Sequence, residues 1–175
     1  MIDRKQISAC LVSREPIDPR ILKSLEGFGE IIIADGSHGP CGRYEAVAQA
    51  KFDVIYTQDD DCIVDIDALL KLWDGNFIAN VFPERSEPCF NNNTLTGWGS
   101  LYLKSLVQPA LDRYIQKYGK DTLYNREADR IFSGLNPHPL VCVKVENIIH
   151  SLGRLTDQPD HWQCRAEMQR RLETL

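Results

Sequence analysis

Three consecutive carboxylates, Asp59-Asp60-Asp61, follow the run Val54-Ile55-Tyr56-Thr57 and precede another apolar pair, Ile63-Val64. Carboxylates repel one another, so three at a strand end cost stability unless something positive sits among them. A divalent cation bridging to a phosphate is the commonest remedy, because hard oxygen ligands suit Mg2+ or Mn2+. Asp59 and Asp61 have the Asp-x-Asp spacing, and a turn could aim both at one ion. The same residues also suit a solvated acidic turn, where Asp is favoured for its local hydrogen bonds. An EF-hand is excluded because its loop glycine is missing after Asp61.

The elements around this run read as alternating strands and helices. Ile7–Val12 is a compact apolar run fit for a buried parallel strand. It stops at Ser13-Arg14-Glu15-Pro16, and Asp18-Pro19 then supplies a helix N-cap followed by proline at the first helical position. Ile21, Leu22, Leu25 and Phe28 fall on one face of that helix, which Gly27 and Gly29 close. A second strand runs from Glu30 into Asp35-Gly36-Ser37, and a second helix spans Gly42 to Lys51 with Ala46, Val47 and Ala50 inward. After strand Val54–Thr57 and the acidic run, Asp65 caps a third helix carrying Ile66, Leu69, Leu70 and Trp73.

This alternation predicts an α/β fold with right-handed crossovers and a mostly parallel sheet. In such sheets ligands lie beyond the carboxyl ends of the strands. Ser13-Arg14-Glu15, Asp35-Gly36-Ser37 and Asp59-Asp60-Asp61 all occupy strand ends of that kind. The second half is less regular: a strand over 76–82, a polar loop over 83–93, an apolar run over 101–107 and a helix from Pro109 to Tyr118 ending at Gly119. A helix over 126–132, a strand over 140–145, a polar loop after His150 and a charged helix over 163–175 complete the reading.

The net charge of −5 argues against nonspecific attraction to nucleic acid or membrane. No long apolar run is present and the charged Met1–Lys5 does not suit a signal peptide, so a cytoplasmic location without a membrane span is expected. Cysteines at 10, 41, 62, 89, 142 and 164 form no CxxC pair, which excludes a zinc ribbon or thioredoxin motif and predicts reduced thiols. The length suits one domain, 1–175, with a nucleotide-binding half over 6–75, an acceptor and catalytic half over 76–150, and a closing loop and terminal helix over 151–175.

The order of strand 7–12, Asp35-Gly36-Ser37, helix 42–51 and strand 54–57 with its acidic run resembles GT-A-fold glycosyltransferases of the family-2-like, nucleotide-sugar-dependent type, over roughly residues 6–150. The resemblance implies a GT-A-like three-layer α/β/α sandwich with a mostly parallel central sheet. It implies that Ser13, Arg14 and Glu15 line the nucleoside pocket, that Asp35 accepts from the donor's base (uracil, hence a UDP-sugar), and that Arg43 lies near the nucleotide. Asp61 would be the direct ligand of Mn2+ or Mg2+, with Asp59 or Asp60 contacting ribose or metal-bound water and His150 completing the metal site. The resemblance puts Arg154 and His161 in the donor-closing loop, where they could neutralise the diphosphate or be solvated loop charges. Gly97-Trp98-Gly99 resembles the acceptor-side segment, although a core Trp between turn glycines has the same pattern.

Asp129 matches the aspartate of the family's Glu-Asp catalytic pair. This chain departs from that pattern because Ala128 separates Asp129 from Glu127, so either carboxylate could be the base, and ion pairing with Arg126 and Arg130 is the structural alternative. The implied reaction moves a sugar to an acceptor hydroxyl with inversion, a retaining route staying open if no carboxylate reaches the acceptor. The acceptor could be a glycan, a lipid, a protein or a hydroxymethylated DNA base. Two rivals remain: a sugar nucleotidyltransferase, which would want a glycine-rich loop where Ser13-Arg14-Glu15-Pro16 stands, and a noncatalytic acidic-loop metal-binding or interaction module.

Overall fold

The computed structural model describes residues 2–14, 16–80, 95–136, 138, 140–150 and 159–175, with 147–150 described through their backbone. Glu15, Arg154 and the loop expected over 83–93 lie outside the described residues. In chain order the elements are β1 (Ile7–Ser13), α1 (Pro19–Ser24), β2 (Glu30–Asp35), α2 (Cys41–Val47), β3 (Val54–Asp59), β4 (Cys62–Val64), α3 (Ile66–Leu72) and β5 (Phe77–Asn80). They continue with β6 (Ser100–Leu103), α4 (Val107–Tyr118), α5 (Thr122–Arg126), α6 (Ala128–Leu135), β7 (Leu140–Val143), β8 (Asn147–His150) and α7 (His161–Glu173).

Six strands form the central sheet in the order β2-β1-β3-β6-β5-β7, and β4 pairs with β8 in a separate ribbon. Within this sheet, among the described residues, only β6 runs against its neighbours; β1 is parallel to β2 and β3, and β5 to β7. The sheet is therefore mostly parallel, as expected. Alternation along β1 sends Ile7, Ala9 and Leu11 into one core with Ile21 of α1, Leu69 of α3 and Ile63 of β4. Cys10 points the other way, into a core built by Tyr44, Leu111, Phe132 and Met168 of α2, α4, α6 and α7. A sheet covered on both faces is the three-layer α/β/α sandwich.

The caps formed where the residue types demand them. The Asp18 side chain accepts from Arg20 N–H at the start of α1, and Asp65 accepts from Ala68 N–H at 2.9 Å at the start of α3. Several details differ from the expectations. Leu22 is exposed, whereas Ile21 of α1 and Leu25 just beyond its end are buried. Ile31 and Ile33 of β2 are exposed too, since β2 is an edge strand. The helix expected over 126–132 is two, α5 and α6, meeting at Glu127. His161 is buried at the start of α7 instead of lying in a loop.

Cys142 on β7 is disulfide-bonded, against the expectation of reduced thiols throughout. Sequence spacing carries no information on which cysteines the fold brings together. Cys10, Cys41, Cys62 and Cys164 are free. Among the described residues no helix is long and apolar enough to cross a membrane.

Candidate functional site

Parallel pairing aligns the carboxyl ends of three strands. Ser13 stands opposite Asp35 across β1 and β2, and Val12 opposite Asp59 across β1 and β3. The Ser13 hydroxyl donates to Asp60 Oδ2, and Arg14 Nε donates to the Gly36 carbonyl at 2.5 Å. Asp35 caps the 3-10 turn that follows it, accepting from Ser37 N–H and Oγ–H, both at 2.8 Å, and those hydrogen bonds hold its carboxyl below the ordinary range. Ser13, Arg14, Asp35 and Asp60 are thus gathered on one rim, as the strand-end argument predicts.

Beneath the rim lies a buried polar network that the sequence did not announce. Arg43, on the first turns of α2, is only 1% exposed. Its Nη2 donates to Asp59 Oδ1, and its Nη1 lies 3.7 Å from Asp129 Oδ1 and 3.4 Å from Thr96 Oγ1. The Tyr44 hydroxyl donates to Asp129 Oδ1 at 2.8 Å and lies 2.7 Å from Thr96 Oγ1. Thr96 N–H donates to Asp129 Oδ2 at 3.1 Å. Burial works against a charge on Arg43, but Asp129 and Asp59 hold its pKa above the ordinary value. Loss of hydration, together with Asp129 and Asp61, pushes Asp59 upward against the pull of Arg43.

Gly97 explains how Asp59 can sit there. A Cβ at position 97 would lie 2.2 Å from both Asp59 carboxylate oxygens, while Gly97 O accepts from Asp59 N–H at 2.6 Å. Gly99 has φ +95°, and a Cβ on it would press on Val64. Trp98 is half-buried against the core that holds Val64, and its carbonyl accepts from Asn80 Nδ2 at 3.0 Å. The expected acceptor-side segment is therefore also the strap that packs the acidic run.

Of the three residues expected at a metal, Asp59 turns to Arg43, and the β4–β8 ribbon brings the backbone of His150 near Asp61. Cys62 of β4, next to Asp61, pairs with His150 of β8. Asp61 is half-buried. Among the described side chains no group of three or more His, Cys, Asp and Glu could hold a metal ion. Asp61 stands in the turn between β3 and β4, and the backbone of His150 pairs with the residue that follows it.

The two expected bases lie together at the α5–α6 junction. Asp129 is 5% and Glu127 4% exposed. Burial raises the Glu127 carboxyl above its ordinary range, against the pull of Arg165, Arg130 and Arg126. Arg126 pairs with Asp160 at 2.7 Å, just before α7.

Comparison with known proteins finds the fold but no family. The chain is similar to the crystal structure of 4-diphosphocytidyl-2C-methyl-D-erythritol synthase from Anaerococcus prevotii DSM 20548, with TM-score 0.53 and 13% identity over 95% of this chain and 97% of that one. It is also similar to A197 from STIV, with TM-score 0.50 and 8% identity over 85% of this chain and 86% of that one. No family model and no curated protein sequence matches. At these identities the likeness establishes a shared α/β architecture.

Tyr44 and Thr96 are the site residues that sequence reasoning missed. Each adjoins a residue that was nominated, Arg43 and Gly97, but was not itself singled out. The one available signal was Arg43-Tyr44 itself, a charged residue and a hydroxyl at the start of a helix that faces the strand ends.

Proposed function

We propose that the chain is a metal-dependent glycosyltransferase that moves a sugar from a nucleotide-sugar, a UDP-sugar by the carboxylate at Asp35, to an acceptor hydroxyl. The observation that carries this reading is the convergence of Ser13, Arg14, Asp35 and the acidic run at the carboxyl ends of β1, β2 and β3, where ligands of open α/β sheets bind. Asp61 and His150 would hold Mn2+ or Mg2+, which when bound stabilises the charge developing on the diphosphate leaving group. Asp60, oriented by the Ser13 hydroxyl, would face the ribose. Asp129, which accepts from Thr96 N–H beside the Gly97 strap, or Glu127, whose carboxyl burial raises, would accept the proton of the acceptor hydroxyl.

A second reading has its own support. The similarity to a synthase whose name carries a diphosphocytidyl group favours a nucleotidyltransferase. Against it stands Ser13-Arg14, with no glycine, where a phosphate-wrapping loop would follow β1. Incubation with a panel of UDP-sugars and Mn2+ should release UDP. Release of pyrophosphate from CTP or UTP with a sugar phosphate, and no UDP from any UDP-sugar, would instead establish the nucleotidyltransferase.

A further inference from the structure

The hydrogen bonds that reach Asp129 have a direction. The Tyr44 hydroxyl has one proton and gives it to Asp129 Oδ1 at 2.8 Å, so in the 2.7 Å contact between Tyr44 Oη and Thr96 Oγ1 the donor is Thr96. Thr96 Oγ1 in turn accepts from Arg43 Nη1 in a long bond of 3.4 Å. One chain of donors therefore runs from Arg43 through Thr96 and Tyr44 to Asp129, each bond polarising the next. Burial, with Asp129 beside it, pushes the Tyr44 phenol well above its ordinary value, so it stays a donor. The other carboxylate oxygen, Oδ2, accepts Thr96 N–H at 3.1 Å. Thr96 is itself held, since it is fully buried and its carbonyl accepts from Ser100 Oγ at 3.0 Å and Thr57 Oγ1 at 3.3 Å.

We propose that Tyr44 and Thr96 are positioning residues for Asp129 as the proton acceptor: each grips one carboxylate oxygen, and together they leave the remaining lone pairs to the acceptor hydroxyl. This rests on the transferase reading and assigns the proton to Asp129 instead of Glu127. A carboxylate has about four lone-pair sites, so two hydrogen bonds fix its plane without exhausting it. The clasp also keeps Asp129 off the guanidinium. Arg43 Nη2 donates directly to Asp59, whereas Nη1 stands 3.7 Å from Asp129 Oδ1. A direct bond to Arg43 would favour the charged carboxylate and make it a poorer proton acceptor. The other titratable groups around Asp129 are Asp59 of β3, Tyr102 of β6 and Glu127 before α6, and none of them bonds to it. A base works best when a further group orients it. Asp129 has two such groups, whereas the Glu127 side chain makes no cap bond at the start of α6.

The test is kinetic and reads UDP release from whichever UDP-sugar the wild type turns over. Tyr44→Phe and Thr96→Val each delete one hydroxyl at nearly constant shape. In both, kcat should fall by about ten- to a hundredfold with KM for the UDP-sugar little changed, the effect of misplacing a reacting group. Thr96→Ser keeps the hydroxyl and should restore most of the rate, which a loss of packing would not allow. Thr96→Ser as slow as Thr96→Val, or Tyr44→Phe as fast as wild type, overturns the proposal. So does a rate loss that only follows the fraction of molecules unfolded at the assay temperature, since the two residues are then a structural brace. Full activity in Asp129→Asn returns the base to Glu127 and overturns it too. One measurement needs no substrate: nuclear magnetic resonance should show a coupling through the hydrogen bond from the Thr96 amide nitrogen to the Asp129 carboxyl carbon, and its absence in the folded protein overturns the clasp. A wild type that releases UDP from no UDP-sugar sinks the transferase reading instead, and that coupling then decides whether the clasp itself holds.

Discussion

Arg43 Nη1 lies 3.7 Å from Asp129 Oδ1 while its Nη2 donates to Asp59, so one guanidinium on α2 joins the end of β3 to the start of α6. Three parts of the chain that are distant in sequence meet at this side chain, and each presents to the site a residue that sequence reasoning assigned a chemical role.

Arg43→Met should be strongly destabilising. It leaves two carboxylates facing one another with no cation between them, and breaking a buried pair by removing one partner costs roughly 3 kcal/mol or more. Asp59 keeps about a third of its side chain in solvent (36%), which places the expected loss at the lower end. Urea unfolding of Arg43→Met, with Arg43→Lys retaining part of the stability, measures it. A loss under about 1 kcal/mol would mean that water replaces the guanidinium at no great cost.

Gly97→Ala tests the close approach of strap and carboxylate. The new methyl would meet both Asp59 oxygens at 2.2 Å, and Asp59 cannot turn aside without leaving Arg43. Overpacking of this kind costs roughly 1–3 kcal/mol. The midpoint of thermal unfolding should fall accordingly, and combining Gly97→Ala with Asp59→Gly should recover part of the loss. No recovery in the double variant would mean that the methyl clashes with something other than Asp59.

The terminal helix carries a pH-dependent contact. Asp121 caps α5 by accepting Tyr124 N–H at 2.9 Å and pairs with Arg171 of α7 at 2.6 Å. Burial works against its charge, but these hydrogen bonds prevail and hold its pKa below the ordinary carboxylate value. A depressed acid stabilises the fold fully above its unfolded pKa, about 3.9, and loses that contribution as pH falls through the folded value. Asp121→Asn should therefore cost about 1 kcal/mol at pH 7, with the difference closing below about pH 3.9. A gap between the two proteins that stays constant from pH 7 to pH 2.5 would show that charge is not what docks α7.

The half of the fold that was legible is the half written in local signals. Asp18-Pro19 and Asp65 each start a helix for reasons contained within a few residues, and three strands ending in polar residues announce one rim. The reversed β6 between β3 and β5 was not legible, since strand order depends on pairing across distant segments. Nor was the burial of Arg43. An arginine on a short helix reads as a solvated charge until the fold supplies Asp59 on one side and Asp129 on the other. Of the residues expected around a nucleotide, Ser13, Arg14, Asp35 and Asp60 stand at neighbouring strand ends, but Arg43 is spent on internal pairing. The break at Glu127 escaped because neither glycine nor proline marks it; Glu127 has φ −119° and ψ 25°, outside the helical region.

Asp61→Asn carries the most weight for the proposed function. Asp61 lies two residues beyond the end of β3 and precedes Cys62, whose pairing with His150 brings the backbone of that expected ligand close to it. The substitution removes a charge and one hard oxygen donor but almost no volume, so the loss of stability should stay at or below about 1 kcal/mol. Calorimetry with UDP and Mn2+ should nevertheless lose the metal-dependent part of binding, and turnover of any UDP-sugar should fall by about a hundredfold or more, since the charge on the departing diphosphate then goes unmet. His150→Ala should weaken the same Mn2+-dependent binding without abolishing it. If Asp61→Asn binds UDP and Mn2+ as wild type does while Asp59→Asn does not, the cation sits at Asp59, and Arg43 must release that carboxylate whenever metal binds.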